Sequence, residues 1–473
     1  MLKRMIIFSA LICGILFLNP LQAKKTWSLQ DCIEHAMQHN LQIRLQRLNE
    51  RDTESSLKQS YGNFLPSLNV ESSQGYNFGR AVDPFTNEFS NEQIFRQNAG
   101  ASSSVVLFAG FQNVNYLRYS LMRNTAMRYD TEKLQNDIIL TIAAAYMQIL
   151  YNEDYLETAL QQSQVIRQQL DRTRALFEGG TVPRGNVLEI EARLAEEELN
   201  LITARNNVRL AYLELIQLLD LDPNETFAVE RPQTEMTDQP VLVEPEDVFT
   251  RALQIQPSVK SANMKVQMAE KQISIDRGRL SPSLFLSSSV GSGYSQANTF
   301  LAERIKTEDI PIGFLADRTP VFTQGYNNIW QRKPYSDQLR DNLSVYVRVN
   351  LRIPIFNRWE VRTRIQQSRI DLDRAQNQHE LIRNNLNKAI QQAHTDALAA
   401  WQKYQATIKS FDAFNESFNY TRQRFELGMV SSVEFNESQA RMARAEREAL
   451  QAKYDFTFKK KIMEFYMGEG FNL

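Results

Sequence analysis

Two stretches of this chain, residues 112–178 and 358–427, contain neither glycine nor proline. Those residue types are what stop helices, so each stretch can run as one helix of about 100 Å at ~1.5 Å per residue. An ordinary globular core holds helices of ~11–12 residues. Helices this long are coiled-coil rods or the walls of a tube. The abundance of Gln, Asn, Arg, Glu, Leu and Ala suits long helices better than a compact α/β enzyme. Ala143, Ala144 and Ala145, and Ala397, Ala399 and Ala400, would let neighbouring helices approach closely.

The two stretches belong to a duplication. Asp31, Ala36, Arg44, Pro66, Ser67, Leu68 and Gly75 recur as Asp247, Ala252, Lys260, Pro282, Ser283, Leu284 and Gly291, 216 positions on. Leu107-Phe108, Arg174, Phe177, Gly180, Ala192, Arg193 and Glu198 recur as Ile355-Phe356, Arg422, Phe425, Gly428, Ala440, Arg441 and Glu446, 248 positions on. The second copy is therefore 32 residues longer, between about Gly291 and Leu343. Each copy reads helix, strand, loop, strand, very long helix, turn, helix.

The start of the chain reads as a secretory signal. Lys3 and Arg4 precede an apolar run from Met5 to Leu18, Asn19-Pro20 break it, and Ala23 is a small residue suited to cleavage. The run is shorter than the ~20 residues of a membrane span. Cys13 follows Ile12, which is too large for a lipoprotein signal, so only Cys32 remains after processing and no intrachain disulfide is expected. No later stretch could span a membrane as a helix, so entry into a bilayer would require β-strands.

The strand patterns point that way. From Leu343 to Ile355, Leu, Val and Ile alternate with Asn, Ser, Tyr and Arg, which puts every apolar side chain on one face. The other face carries Arg348 and Arg352 and must be wet. That is the pattern of a transmembrane barrel strand, whose ~9–11 tilted residues cross a bilayer. Leu284, Leu286 and Val290 alternate more weakly, as do Leu68 and Val70 with Asn69 and Glu71; residues 99–108 are the weakest. Tyr76, Phe78, Phe108, Phe111, Tyr294, Phe356 and Trp359 gather near the strand ends, where interfacial girdles would sit. Four strands cannot close a barrel, and open edges are untenable in lipid, so chains must share one. Two chains would give eight strands; three would give twelve, which suits a wide helical tube better.

The order of these elements, written twice, resembles the TolC-type outer-membrane efflux and export proteins over about residues 27–468. "HAMQHNLQI" and "RALQIQPSV" are similar to the family's Ala-x-x-x-Asn-Pro segment, here split: Asn40 lacks the proline, and Pro257 follows Gln256. "NFLPSLNV" and "RLSPSLFL" resemble the proline that leads each helix into its first strand. The resemblance implies a homotrimer: a mainly α, internally duplicated chain giving four strands to a shared 12-stranded outer-membrane β-barrel, with a long periplasmic α-helical tunnel below. It implies as partners a periplasmic adaptor (membrane fusion) protein, an inner-membrane pump and outer-membrane lipid. The parts are expected as residues 1–23 signal; 24–66 first helices; 67–110 first strand pair; 111–219 long helix, tip turn and return helix; 220–243 linker; 244–282 second helices; 283–356 second strand pair and long outer loop; 357–473 second long helix, tip and return helix.

The repeated turn is then the tunnel's periplasmic tip. The family places acidic residues at the positions of Glu434 and Glu437, where the closed tunnel narrows; their i, i+3 spacing shares one helix face. Three chains would gather six carboxylates, attracting cations. Equally, Ser431 and Glu434 spell a capping box, and Glu437 and Arg441 an ordinary i, i+4 pair. The first tip has Asn186 where Glu434 stands, and Pro183-Arg184-Gly185 in place of the polar run, with Pro183 suited to the first helical position; no carboxylate is expected there. Phe177 and Phe425 are expected against the partner helix. Gly180, Val182, Gly428, Val430 and Ser431 are candidates for adaptor contact. Glu71, Arg348 and Arg352 are candidates for the barrel lumen. The outer segment from Ser295 to Arg340, with Phe300, Phe322, Tyr326, Trp330 and Tyr335, reads as a variable surface loop.

Other classes fit poorly. A net charge of −1 gives nucleic acid no footprint. His35 and His39 share a helix face without the intervening Glu of a zinc peptidase, His379 and His394 are isolated, and no phosphate loop or nucleophile elbow appears. No enzyme, metal or cofactor is expected. The expected function is a passive channel in a tripartite efflux or export system, with a type I protein-secretion duct or a soluble periplasmic coiled-coil adaptor as alternatives.

Overall fold

A computed structural model describes residues 25–82, 87, 89–90, 93–225, 227–232 and 243–471. The expected signal and residues 233–242 of the linker lie outside the described residues. In chain order the elements are β1 (Lys25–Trp27), α1 (Leu29–His39), α2 (Leu41–Gly62), β2 (Ser67–Asn77), β3 (Ala81–Val82), β4 (Phe89–Ser90), β5 (Ile94–Ala109), α3 (Gln112–Glu178), α4 (Arg184–Leu219) and β6 (Phe227–Val229). The second half gives α5 (Pro245–Ile255), α6 (Pro257–Gly278), β7 (Ser283–Ser295), β8 (Thr299–Lys306), β9 (Ile310–Phe314), β10 (Pro320–Thr323), β11 (Tyr326–Arg332), α7 (Tyr335–Asp341), β12 (Ser344–Arg352), α8 (Glu360–Glu426) and α9 (Ser432–Tyr466). The two long helices each run 67 residues, filling the stretches free of glycine and proline.

The chain forms two compact units. The first comprises residues up to 54, 122–267 and from 373 on. Its cores repeat position by position: Cys32, Ala36 and Ile43 with Ile138, Ile142, Ala145 and Ile149 in one, Val248, Ala252 and Val259 with Leu386, Ile390, Ala393 and Ala397 in the other. The 4-3-4 spacing along each long helix is a heptad stripe. Each half of the split Asn-Pro segment does one job. Asn40 caps α2, its Oδ1 accepting from the N–H of Gln42 at 2.9 Å. Pro257 opens α6 without needing a donor. Part of the expected linker is not a linker at all: β6 pairs in parallel with β1. The Tyr146 hydroxyl sits beside that pair, 2.6 Å from the Glu230 carbonyl that accepts from it, and burial pushes its pKa up.

The second unit, residues 55–121 and 268–372, holds the four-stranded sheet in the order β12-β7-β5-β2, antiparallel throughout. The copies join through their inner strands, leaving β2 and β12 as open edges. β5, the weakest strand by pattern, is the longest at 16 residues because it has a partner on both sides. Beyond the start of β12, α7 satisfies the edge of β7: Ser295 N–H donates to buried Gln338 Oε1 at 3.0 Å, and Asn342 Nδ2 to the Gly293 carbonyl at 2.7 Å. The outer segment read from sequence as a loop is ordered structure, a ribbon of β8 paired with β11 whose far end is the β9–β10 hairpin. Its apolar residues alternate too irregularly to signal strands, and a bulge at Ile329/Trp330 breaks the register.

Candidate functional site

Two places carry the chemistry. The first is the sheet. Residues directly opposite in an antiparallel ladder share a face. The row Val70, Ala101, Val290, Val345 therefore lies on one side, and the row Glu71, Gly100, Gly291, Ser344 on the other. Followed along the strands, the first side collects Leu68, Leu284, Leu286, Val347, Val349 and Leu351. The second collects Asn69, Ser73, Ser102, Ser287, Ser289, Tyr346, Arg348 and Asn350, with Arg352 at its end. Glu71, Arg348 and Arg352 thus share the polar face, which no single strand could show. The apolar face is bare in one chain: Val70 is 79% exposed and Val347 72%.

An aromatic row crosses the apolar face at its outer end, Tyr76 against Phe95 at 5.2 Å, Phe95 against Tyr294 at 6.3 Å, and Tyr294 against Tyr335 of α7 at 5.2 Å. Phe95 and Tyr335 were missed as girdle members because their neighbours lie on other strands. At the inner end Phe108 meets Phe111 at 5.5 Å, and their repeat counterparts Phe356 and Trp359 are exposed. Leu284 to Tyr294 spans about 34 Å at ~3.4 Å per residue. Tilted as barrel strands are, that gives roughly the 25 Å apolar band of an outer-membrane barrel.

The second place is the pair of tips. Both turns are Schellman motifs. Gly180 and Gly428 each take φ +73°, where a side chain would be strained. Thr181 N–H donates to the Leu176 carbonyl at 2.9 Å and Gly180 N–H to Phe177 at 2.9 Å; Met429 and Gly428 repeat this onto Arg424 and Phe425 at 2.8 and 2.9 Å. The repeated glycine is thus a helix stop. Gly180, Gly428 and Ser431 are exposed, while Val182 and Val430 are half-buried. Leu427, Met429 and Val433 add an exposed apolar rim that the sequence reading passed over.

Past the turn the copies diverge. Pro183 is the N-cap of α4, one position earlier than expected, with no side-chain cap. Ser431 caps α9, its Oγ accepting from Glu434 N–H at 3.2 Å. The box is only half formed, because the Glu434 carboxylate faces Arg424 at 3.7 Å instead. Glu437 pairs with Arg441. Both carboxylates are exposed, each beside an arginine. Phe425 stacks on Phe435 at 4.6 Å, and Phe435 meets Phe418 at 5.5 Å. Phe177 is exposed, contrary to expectation, because the position of Phe435 is Val187 in the first copy and offers no ring.

The expectation that the first tip lacks a carboxylate is also wrong. Glu189, the repeat partner of Glu437, reaches across to the second tip. Its Oε1 accepts from Asn436 Nδ2 at 3.0 Å and its Oε2 from Ser432 Oγ at 3.4 Å. Arg193, the repeat partner of Arg441, donates to the Asn436 carbonyl at 2.8 Å. Asn436 is buried by this grip, and burial lowers the pKa of Arg193. The 248-residue offset, applied to Glu437, would have found Glu189; nothing local would have found its partners.

Among the described residues no helix is long and apolar enough to cross a membrane, and no cluster of His, Cys, Asp and Glu could hold a metal ion.

The family model described as outer membrane efflux protein matches residues 32–220 and 248–468. The two matches start 216 residues apart and end 248 apart, the same offsets as the repeat. Among curated proteins the chain is 24% identical over 197 residues to the outer membrane protein TolC of Vibrio cholerae, covering 42% of this chain and 44% of the relative. It is 22% identical over 344 residues to the alkaline protease secretion protein AprF of Pseudomonas aeruginosa, covering 70% and 61%. The matches thus span less than two thirds of those relatives' length. Among solved structures, the CmeC outer membrane channel of Campylobacter jejuni superposes with a TM-score of 0.75 at 15% identity, covering 94% of this chain and 87% of that one.

Proposed function

The chain belongs to the outer membrane efflux protein family, and we propose that it is a passive, trimeric outer-membrane channel whose tips dock a periplasmic adaptor and an inner-membrane pump. The observation that carries this reading is the sheet: one face mostly apolar, one polar, and two open edges. A lone four-stranded sheet leaves edge N–H and C=O groups that cannot be left bare in lipid. Because β2 and β12 run in opposite directions, copies can join β12 to β2 and keep an antiparallel barrel. Three copies would give twelve strands with Glu71, Arg348 and Arg352 toward the lumen. The tube itself performs no chemistry and couples no energy; the pump would supply it.

At the inner end, the apolar rim of Leu427, Met429 and Val433, with Gly180, Val182, Gly428, Val430 and Ser431, would meet the adaptor. Glu434 and Glu437 from three chains would ring the constriction. Native mass of the chain purified from membranes in detergent tests the core of this reading: three chains are expected, and a soluble monomer needing no detergent would refute it. The likeness to AprF, whose name states protease secretion, supports a second reading in which the cargo is a polypeptide. A strain lacking the chain would then lose a secreted protein and keep its resistance to small toxic molecules.

A further inference from the structure

β2 and β12 are the open edges of the sheet. In the shared barrel proposed above, on which this inference rests, β12 of one copy lies beside β2 of the next. Fixing one pair of residues across that seam fixes them all. β2 has 11 residues and β12 has nine. Glu71, Arg348 and Arg352 lie on the polar face, and Val70, Val349 and Leu351 on the apolar one. A slip of one residue would turn every side chain of a strand to the wrong face. Two registers keep the faces together and give every residue of β12 a partner in β2: Arg352 opposite Ser67, or Ser344 opposite Asn77.

The strand ends separate these two. Pro66 precedes β2, and Ile353-Pro354 follow β12. With Arg352 opposite Ser67 the strands stop flush at the inner end. With Ser344 opposite Asn77, Pro354 comes opposite Ser67 and has no N–H to give the ladder. Strand tilt agrees. Ser344 shares a row with Gly291, Gly100 and Glu71 of its own chain. In the flush register it meets Gly75 of the next copy, so the row climbs four residues per copy. At ~3.4 Å per residue and ~4.8 Å between strands, that leans the strands by about 35°, within the roughly 35–45° of outer-membrane barrels; the other register would lean them by about 47°.

The flush register also sets opposite charges face to face, Arg348 against Glu71 of the next copy. Both are exposed, and neither has an ion-pair partner in its own chain among the described residues. Within one chain Arg348 shares its row with Ser287, Ser104 and Ser67 instead.

We infer that β12 of each copy pairs with β2 of the next from Arg352–Ser67 to Ser344–Gly75, and that an Arg348–Glu71 ion pair in the lumen wall bridges each of the three seams. The pair neutralises Arg348. It leaves Arg352, opposite Ser67, as an uncompensated ring of positive charge at the inner rim of the barrel.

A chain carrying Asn69→Cys with Asn350→Cys tests the register by mild oxidation. In the flush register these residues are directly opposite, with Cβ atoms ~4.5–5.5 Å apart, close to what a disulfide spans; diagonal neighbours are ~7–8 Å apart. Within one chain they lie on opposite edges of the sheet, so a link joins copies. Cys32 is buried and its thiol is pushed up to about 12, so it stays silent. A covalent trimer is the expected result, with weaker linking when Ser67→Cys or Glu71→Cys replaces Asn69→Cys. Stronger linking by either of those, or a trimer that stays unlinked through residues 69 and 350, would overturn the register. Arg348→Glu or Glu71→Arg alone should lower the temperature at which the native trimer dissociates, and the two together should restore it. A covalent trimer without that rescue would overturn the ion pair. Native mass of the unaltered chain in detergent separates the two readings: no oligomer refutes the shared barrel, whereas a trimer that fails these tests refutes the seam alone.

Discussion

The two tips began as one sequence and now do different work. Each keeps the Schellman glycine and the Glu-x-x-x-Arg pair that follows. In the second copy Glu437 and Arg441 face each other at the surface. In the first, Glu189 and Arg193 have let go of each other and hold Asn436 of the second tip by its side chain and its backbone carbonyl. The cores follow suit: Leu170 and Val187 in the first become Phe418 and Phe435 in the second. Duplication supplied two equivalent hairpins, and divergence at a few positions turned one into the holder of the other.

The strand-to-helix turns offer the largest test of the comparison. Gly110 and Phe111 are both left-handed, as are their counterparts Arg358 and Trp359. A Cβ on Gly110 would come within 2.3 Å of the Gly278 carbonyl. Gly110→Ala should therefore cost more than about 3 kcal/mol, combining backbone strain with overpacking, and should sharply reduce assembled protein in the membrane. Arg358→Gly, the reverse exchange in the other copy, should relieve strain and leave assembly intact. Equal assembly of the two variants would mean that the turns are not under the different constraints seen here.

Next comes the grip between the tips. Arg193→Ala leaves the carbonyl of buried Asn436 without its charged donor and should cost roughly 2–3 kcal/mol. Arg441→Ala breaks only an exposed pair and should cost under about 1 kcal/mol. Double-mutant cycles on Glu189 with Asn436, and on Glu437 with Arg441, measure the contrast; similar coupling in both would erase it.

Charge at the second tip can be tested alone. Glu434→Ala with Glu437→Ala should weaken cation block or raise conductance in a planar bilayer, with folding unchanged. Unaltered conductance and block would leave those glutamates only their local ion pairs. The smallest effect concerns the caps. Ser431→Ala should cost ~1 kcal/mol, and Pro183→Ser should gain up to about 1 kcal/mol by adding the cap the first copy lacks. Chemical denaturation of the assembled protein would register both.

The sequence by itself determined whatever depends on neighbours along the chain. Helix length follows from the absence of glycine and proline, strand identity from period two in residues 343–355, and the tip stop from Gly180 and Gly428. It determined the duplication too, since a repeat is read by comparing the chain with itself. Tertiary structure decided the partners. Nothing local says that β5 pairs with β7, that β1 finds β6, that the outer segment folds into a ribbon, or that Glu189 turns away from Arg193 toward Asn436, 247 residues on. Local periodicity fixes which face of an element is apolar. The energy that selects a partner comes from contacts between distant residues, and these exist only once the elements have packed.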